Sequence, residues 1–192
     1  MKNNNYIFLD FDGVLNSTDF VCRNNKYEHL TRREVHDNLQ PDLVENLNVL
    51  VEETNSHVVV SSTWRILNDL SQLQQILNRA GFKHKLLGVT PGGGGFRGIQ
   101  IQDYIDSLDT EPDRILIIDD SSDMGHLMPY LLRTTMQNGF NVERLAYARV
   151  LFNANLYTAT PIEWQYDAYK DWHRESSFRR ARWNQEYTED TI

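Results

Sequence analysis

The chain has a single cysteine, Cys22, among its 192 residues, so no disulfide can close within it. No group of cysteines and histidines has the spacing of a zinc site, and Cys22 is expected to be an ordinary small residue in a reducing compartment. Long apolar runs are missing too. None approaches the ~18 residues of a membrane span, and the opening MKNNNYIFLDFDG lacks the basic and apolar regions of a signal peptide. These absences lead to the expectation of a cytoplasmic protein that makes no membrane contact. Positive charge is the minority sign: 19 Lys and Arg stand against 27 Asp and Glu, a net charge of −8. Bulk electrostatic attraction to nucleic acid is excluded, and only a local basic patch can serve that purpose. The length suits one domain with a full core and an appendage. We expect a domain over residues 1–152 and an extension over 153–192.

What is present alternates. Residues 6–9, Tyr-Ile-Phe-Leu, form a short continuous apolar run, as in a strand buried on both faces, and the run stops at Asp10. Residues 16–40 are polar and without period, which predicts an irregular insertion or small cap. From Pro41, the residues Leu43, Val44, Leu47, Leu50 and Val51 recur at helical spacing. Further strands are expected at 58–60, 85–89, 115–118 and 133–135. Further helices are expected over 67–80, closed by Gly81, over 101–108, and through Leu127, Leu131 and Leu132. Four glycines at 92–95 can only be loop. The pattern predicts an α/β, Rossmann-like three-layer sandwich with a central, mainly parallel sheet and a minimal cap. The last forty residues carry Trp164, Trp172 and Trp183 among tyrosines and arginines, and the spacing of Trp164, Ala168 and Trp172 suggests an apolar helical stripe. This helical, aromatic C-terminal extension is expected to pack on the core or to join two copies in a homodimer.

In such a sheet, ligands bind beyond the carboxyl ends of the strands. Three polar groups directly follow buried runs: Asp10 and Asp12, then Ser61-Ser62-Thr63, then Asp119, Asp120 and Asp123. Each alone reads as a turn or a helix cap. Together they read as a site. Clustered carboxylates repel and are costly to desolvate unless a cation neutralises them, and a hard cation with oxygen ligands, most simply Mg²⁺, meets that need.

The segment Asp10-Phe11-Asp12-Gly13-Val14-Leu15 resembles the first motif, Asp-x-Asp-Gly-x-Leu, of the haloacid dehalogenase (HAD) superfamily. A Ser after the next strand and the pair Asp119-Asp120 after a later one resemble its second and fourth motifs. Within the superfamily, Val-Ser-Ser-Thr-Trp-Arg at 60–65, Thr90-Pro91, Arg97-Gly98 and Ile118-Asp119-Asp120 resemble the phosphatase domain attached to RNA repair enzymes. The resemblance implies a phosphomonoester hydrolase in which Asp10 attacks phosphorus and forms an aspartyl-phosphate. Asp12 would protonate the leaving alcohol and then deprotonate water. Mg²⁺ would be held by Asp10, the main-chain carbonyl of Asp12, and Asp119 or Asp120.

Ser62, with Ser61 as the alternative, and Arg97 would bind phosphate. The usual Lys of the third motif is not evident, and Lys83 and Lys85 are the alternatives to Arg97. Asp123 would orient metal-bound water or cap a helix. The substrate is expected to be a nucleotide, another phosphorylated small molecule or a nucleic acid end. A sequestering protein on the same scaffold and a phosphotransferase are the rival readings.

Overall fold

The computed structural model describes residues 4–18, 20, 39–92 and 95–157. Most of the 16–40 insertion, Cys22 and the aromatic stretch from residue 158 onward lie outside the described residues, and with them the expectations of a cap, a helical extension and a dimer.

Five parallel strands form one sheet in the order β3-β2-β1-β4-β5. They are β1 (Asn5–Leu9), β2 (His57–Val60), β3 (Leu86–Val89), β4 (Arg114–Asp119) and β5 (Leu131–Arg133). The chain moves outward from β1 to β3, then returns to lay β4 against the other side of β1. The order of connection therefore reverses at the β1/β4 boundary, the kind of place beyond the strand ends where open α/β sheets bind ligands.

Strand side chains alternate between faces, and each face is covered. Ile7, Leu9, Val58, Val60, Leu116 and Ile118 pack under three helices: α1 (Pro41–Thr54), α2 (Leu70–Arg79) and α4 (Val142–Ala154). Tyr6, Phe8, Val59, Ile115 and Ile117 face the other way, under α3 (Arg97–Asp106) and the 3₁₀ turn Gly125–Tyr130. The expected three-layer α/β sandwich is what forms.

The local reasons are those read from the sequence, with three exceptions. Pro41 occupies the first turn of α1, where its missing N–H costs nothing. Asp69 and Gln72 close a reciprocal capping box at α2, so that helix begins at Leu70, and Leu67, expected inside it, stands exposed. Leu131 and Leu132, expected in a short helix with Leu127, belong to β5, because the 3₁₀ turn through Pro129 ends at Tyr130. Helix α4 was not anticipated at all. Its apolar residues run round the helix, with Leu145, Ala148 and Phe152 buried while Val142, Tyr147 and Val150 are exposed, so no single stripe announces it. It also runs two residues past the domain boundary expected at 152/153.

One close approach fixes α3 relative to the sheet. The N–H groups of Arg97 and Gly98 donate to the Asp123 carboxylate (3.0 Å) and carbonyl (3.1 Å). A β-carbon at Gly98 would lie 2.3 Å from the Met124 carbonyl oxygen, which is rigid backbone. Gly98→Ala is expected to push the start of α3 off the β4 loop and cost about 1–3 kcal/mol. The midpoint of chemical denaturation measures it; an unchanged midpoint would show that the contact gives way freely.

Candidate active site

The ladders of the sheet continue one residue past the strands. Asp10 N–H donates to Ile118 O (3.0 Å), Ser61 N–H to Leu9 O (2.9 Å) and Thr90 N–H to Val60 O (2.9 Å). Since Leu9 pairs with both Val60 and Ile118, and Val60 with Val89, the next residues stand in one row: Asp119, Asp10, Ser61, Thr90. By alternation from Phe8, Ile117, Val59 and Gly88, all four side chains point to the α3 face. Ser62 points to the other.

This row is buried and poorly satisfied. Asp119, Ser61 and Thr90 are fully buried, and Asp119 Oδ2, Ser61 Oγ and Thr90 Oγ1 have no hydrogen-bond partner. Buried polar atoms without partners are costly, and a cluster of them at strand ends marks a place where something else binds. The hydroxyl of Ser62 is already engaged, accepting the Trp64 N–H as cap of the 3₁₀ turn Thr63–Ile66. The register thus turns Ser61, rather than Ser62, toward Asp10 and Arg97.

Arg97, at the first position of α3, enters the row from above. Its guanidinium Nη1 donates to the Ser61 carbonyl and lies 3.4 Å from Asp10 Oδ1 and 3.5 Å from Asp119 Oδ2, while Nη2 reaches Asp10 Oδ2 at 3.4 Å. Lys83 and Lys85 precede β3, at the opposite end of the sheet. The Lys83 ammonium pairs with Glu45 (2.8 Å), and Lys85 is exposed. Neither reaches the row.

Asp120, the next residue after Asp119, completes an acidic group. One carboxylate oxygen each from Asp10, Asp119 and Asp120 lies within 4.8 Å of the others. Arg97 supplies one positive charge against three negative ones. Burial, and then the Asp10 charge, raise the Asp119 carboxyl to about 7 and push Asp120 upward as well. An excess of hard oxygen donors, one of them without a hydrogen bond, fits a divalent cation such as Mg²⁺.

Asp12 stands apart from that group. Its Oδ1 accepts from Asn16 Nδ2 and its Oδ2 from Trp64 Nε1, each at 2.8 Å. Its carboxylate is not one of the three that meet in the acidic cluster. Gly13, with φ of +68°, makes the turn, and a β-carbon there would meet Asp120 Oδ2 at 2.8 Å. Asp123 caps: its carboxylate takes the Arg97 N–H at 3.0 Å and the Ser121 hydroxyl at 2.7 Å.

The sequence gives Arg65 no role beyond its place in Val-Ser-Ser-Thr-Trp-Arg. Its guanidinium donates to the carbonyls of Ser61 (2.8 Å), Thr90 (3.0 Å) and Pro91 (3.2 Å), clamping the ends of β2 and β3 together. Thr90 was likewise passed over, although it follows β3 as Asp10 follows β1. Counting one residue past the last apolar residue of each run would have found it.

The charge imbalance has a measurable consequence. With its carboxyl raised to about 7 from 3.8, Asp119 in the folded state keeps a proton that the unfolded chain has already lost. Stability of the metal-free protein therefore falls as pH rises from about 4 to about 7. In chelator, the melting temperature is expected to drop by several degrees between roughly pH 5 and pH 8, and Mg²⁺ to restore it at the higher pH. Thermal shift measurements decide this; no response to Mg²⁺ at high pH would remove the cation from the site.

No curated protein and no solved structure matches the chain significantly. A family model does: that of the HAD domain in Swiss Army Knife RNA repair proteins matches residues 6–145, from the first strand into α4 and across every residue of the row. The sheet order, the acids at the β1/β4 switch point and this match agree, and the chain belongs to the haloacid dehalogenase superfamily, in the branch formed by the HAD domains of Swiss Army Knife RNA repair proteins.

Proposed function

We propose that the protein is a Mg²⁺-dependent phosphomonoester hydrolase acting on terminal phosphates of nucleic acid or on nucleotides, through an aspartyl-phosphate at Asp10. The observation that carries this reading is the Asp10 carboxylate itself, placed at the switch point with the Arg97 guanidinium against both its oxygens. A carboxylate held there is a nucleophile fixed in position, which offsets its low basicity. Family membership supports the substrate class, since the matching domains occur in RNA repair proteins.

The chemistry follows from the residues. An oxygen of Asp10 attacks phosphorus as the bond to the alcohol oxygen breaks, and Asp12 gives its proton to that departing oxygen. Water then attacks the phosphorus while Asp12 takes its proton, the bond to Asp10 breaks, and inorganic phosphate leaves. Arg97 makes a forked contact to the non-bridging oxygens. Ser61, facing the Asp10 side with a free hydroxyl, donates to them as well. Asp10, Asp119, Asp120 and the main-chain carbonyl of Asp12 would hold Mg²⁺. When bound, the cation offsets the negative charge that repels a phosphate ester from the nucleophile.

Release of phosphate from 5′- and 3′-nucleotides, 3′-phosphorylated oligonucleotides and sugar phosphates tests the proposal. Activity is expected on at least one nucleotide or oligonucleotide, to require Mg²⁺, and to be lost in Asp10→Asn by a factor of about 10³ or more. If binding persists with no turnover on any member, the protein sequesters phosphorylated ligands instead.

The register gives a second, finer outcome. Ser61→Ala is expected to lower kcat/KM about ten- to a hundredfold, whereas Ser62→Ala loses a turn cap and changes kcat/KM by less than about threefold. Steady-state kinetics of the two variants side by side measure the difference, and the reverse ranking would restore Ser62 as the phosphate contact.

A further inference from the structure

The two hydrogen bonds on Asp12 have a direction that matters. Trp64 Nε1–H and Asn16 Nδ2–H₂ are donors only, so each demands an acceptor lone pair. They take one site on each oxygen, Oδ2 and Oδ1 respectively, at 2.8 Å. A carboxylate has about two such sites per oxygen, so one remains open on each.

Both donors are themselves held. The Asn16 amide is oriented by its own Oδ1, which accepts the Gly13 N–H at 3.0 Å. The Trp64 indole stands edge-on to Phe11, ring centroids 5.2 Å apart, and its backbone is tied into the turn that follows Ser62. Trp64 is 52 residues from Asp12 in the chain. Asp12 is therefore fixed from two independent elements, its own turn and the segment after β2.

We propose that Trp64 and Asn16 are positioning residues for proton transfer by Asp12. By occupying one lone pair on each oxygen, they leave the transferred proton only the remaining positions and so set the direction in which it reaches the departing oxygen. This inference deepens the hydrolase reading and rests on it. It gives the second-strand segment a function beyond holding phosphate: the turn that carries the serines also aims the acid.

The test separates aiming from mere support. The ratio kcat/KM covers steps only through departure of the leaving group. An alkyl phosphate needs a proton at that point, and p-nitrophenyl phosphate, whose leaving group is stable as an anion, does not. Trp64→Phe removes the N–H and keeps an aromatic ring against Phe11. It is expected to lower kcat/KM about ten- to a hundredfold on an alkyl phosphomonoester and less than about threefold on p-nitrophenyl phosphate. Asn16→Ala removes the other donor without touching the indole and is expected to show the same dependence on leaving group. Equal losses on both esters in both variants would overturn the inference and leave the hydrolase reading intact. No phosphate release by the wild-type protein from these esters or from the nucleotides and oligonucleotides named above would end both.

Discussion

The site depends on one electrostatic settlement: a single guanidinium, Arg97, set among the carboxylates of Asp10 and Asp119 and the Ser61 carbonyl. Buried like charges at adjacent strand ends do not hold together unaided. Arg97 relieves part of that repulsion, and much of the surrounding architecture keeps it in place. Its backbone is pinned by Asp123, its neighbour Gly98 has no side chain to hold the helix off the Met124 carbonyl, and α3 is seated by Ile101 and Ile105. The apolar packing of one face thus serves a polar purpose at its rim.

A second arginine works differently. Arg65 meets carbonyl oxygens and the Gln100 side chain, joining the ends of β2 and β3 just beyond their last ladder bond. Arg97 meets carboxylates as well as the Ser61 carbonyl, whereas the hydrogen bonds of Arg65 go to carbonyl oxygens and an amide. Between them they hold the ends of β1, β2, β3 and β4 at one level, where the proposed reading would bind a phosphate and a cation together. The buried oxygens left without a hydrogen bond, on Asp119, Ser61 and Thr90, are the cost of a prepared site, carried in the free protein.

Much of this was legible. Buried parallel strands are written as unbroken apolar runs, and the residue ending each run is polar for a reason, so Asp10, Asp119 and the serines stood out. Arg97 was read through a family likeness, and the helix start at Phe96 and Arg97 sets its guanidinium beside Asp10, Asp119 and the Ser61 carbonyl. The choice between Ser61 and Ser62 turned on a single residue of strand phase, which depends on pairing rather than composition. Helix α4 was illegible because its buried and exposed apolar residues are mixed around its axis. The hold of Trp64 on Asp12 was illegible for another reason: a hydrogen bond across 52 residues leaves no local trace.

The row at the strand ends also says what kind of change these strands can absorb over evolutionary time. Exchange of one aliphatic residue for another inside β1, β2 or β4 alters packing and leaves the row standing. Insertion or deletion of one residue turns the following side chain to the opposite face, carrying a carboxylate or hydroxyl away from the others and into the layer beneath α1. Length within these short segments consequently matters more to the site than which aliphatic residue fills them.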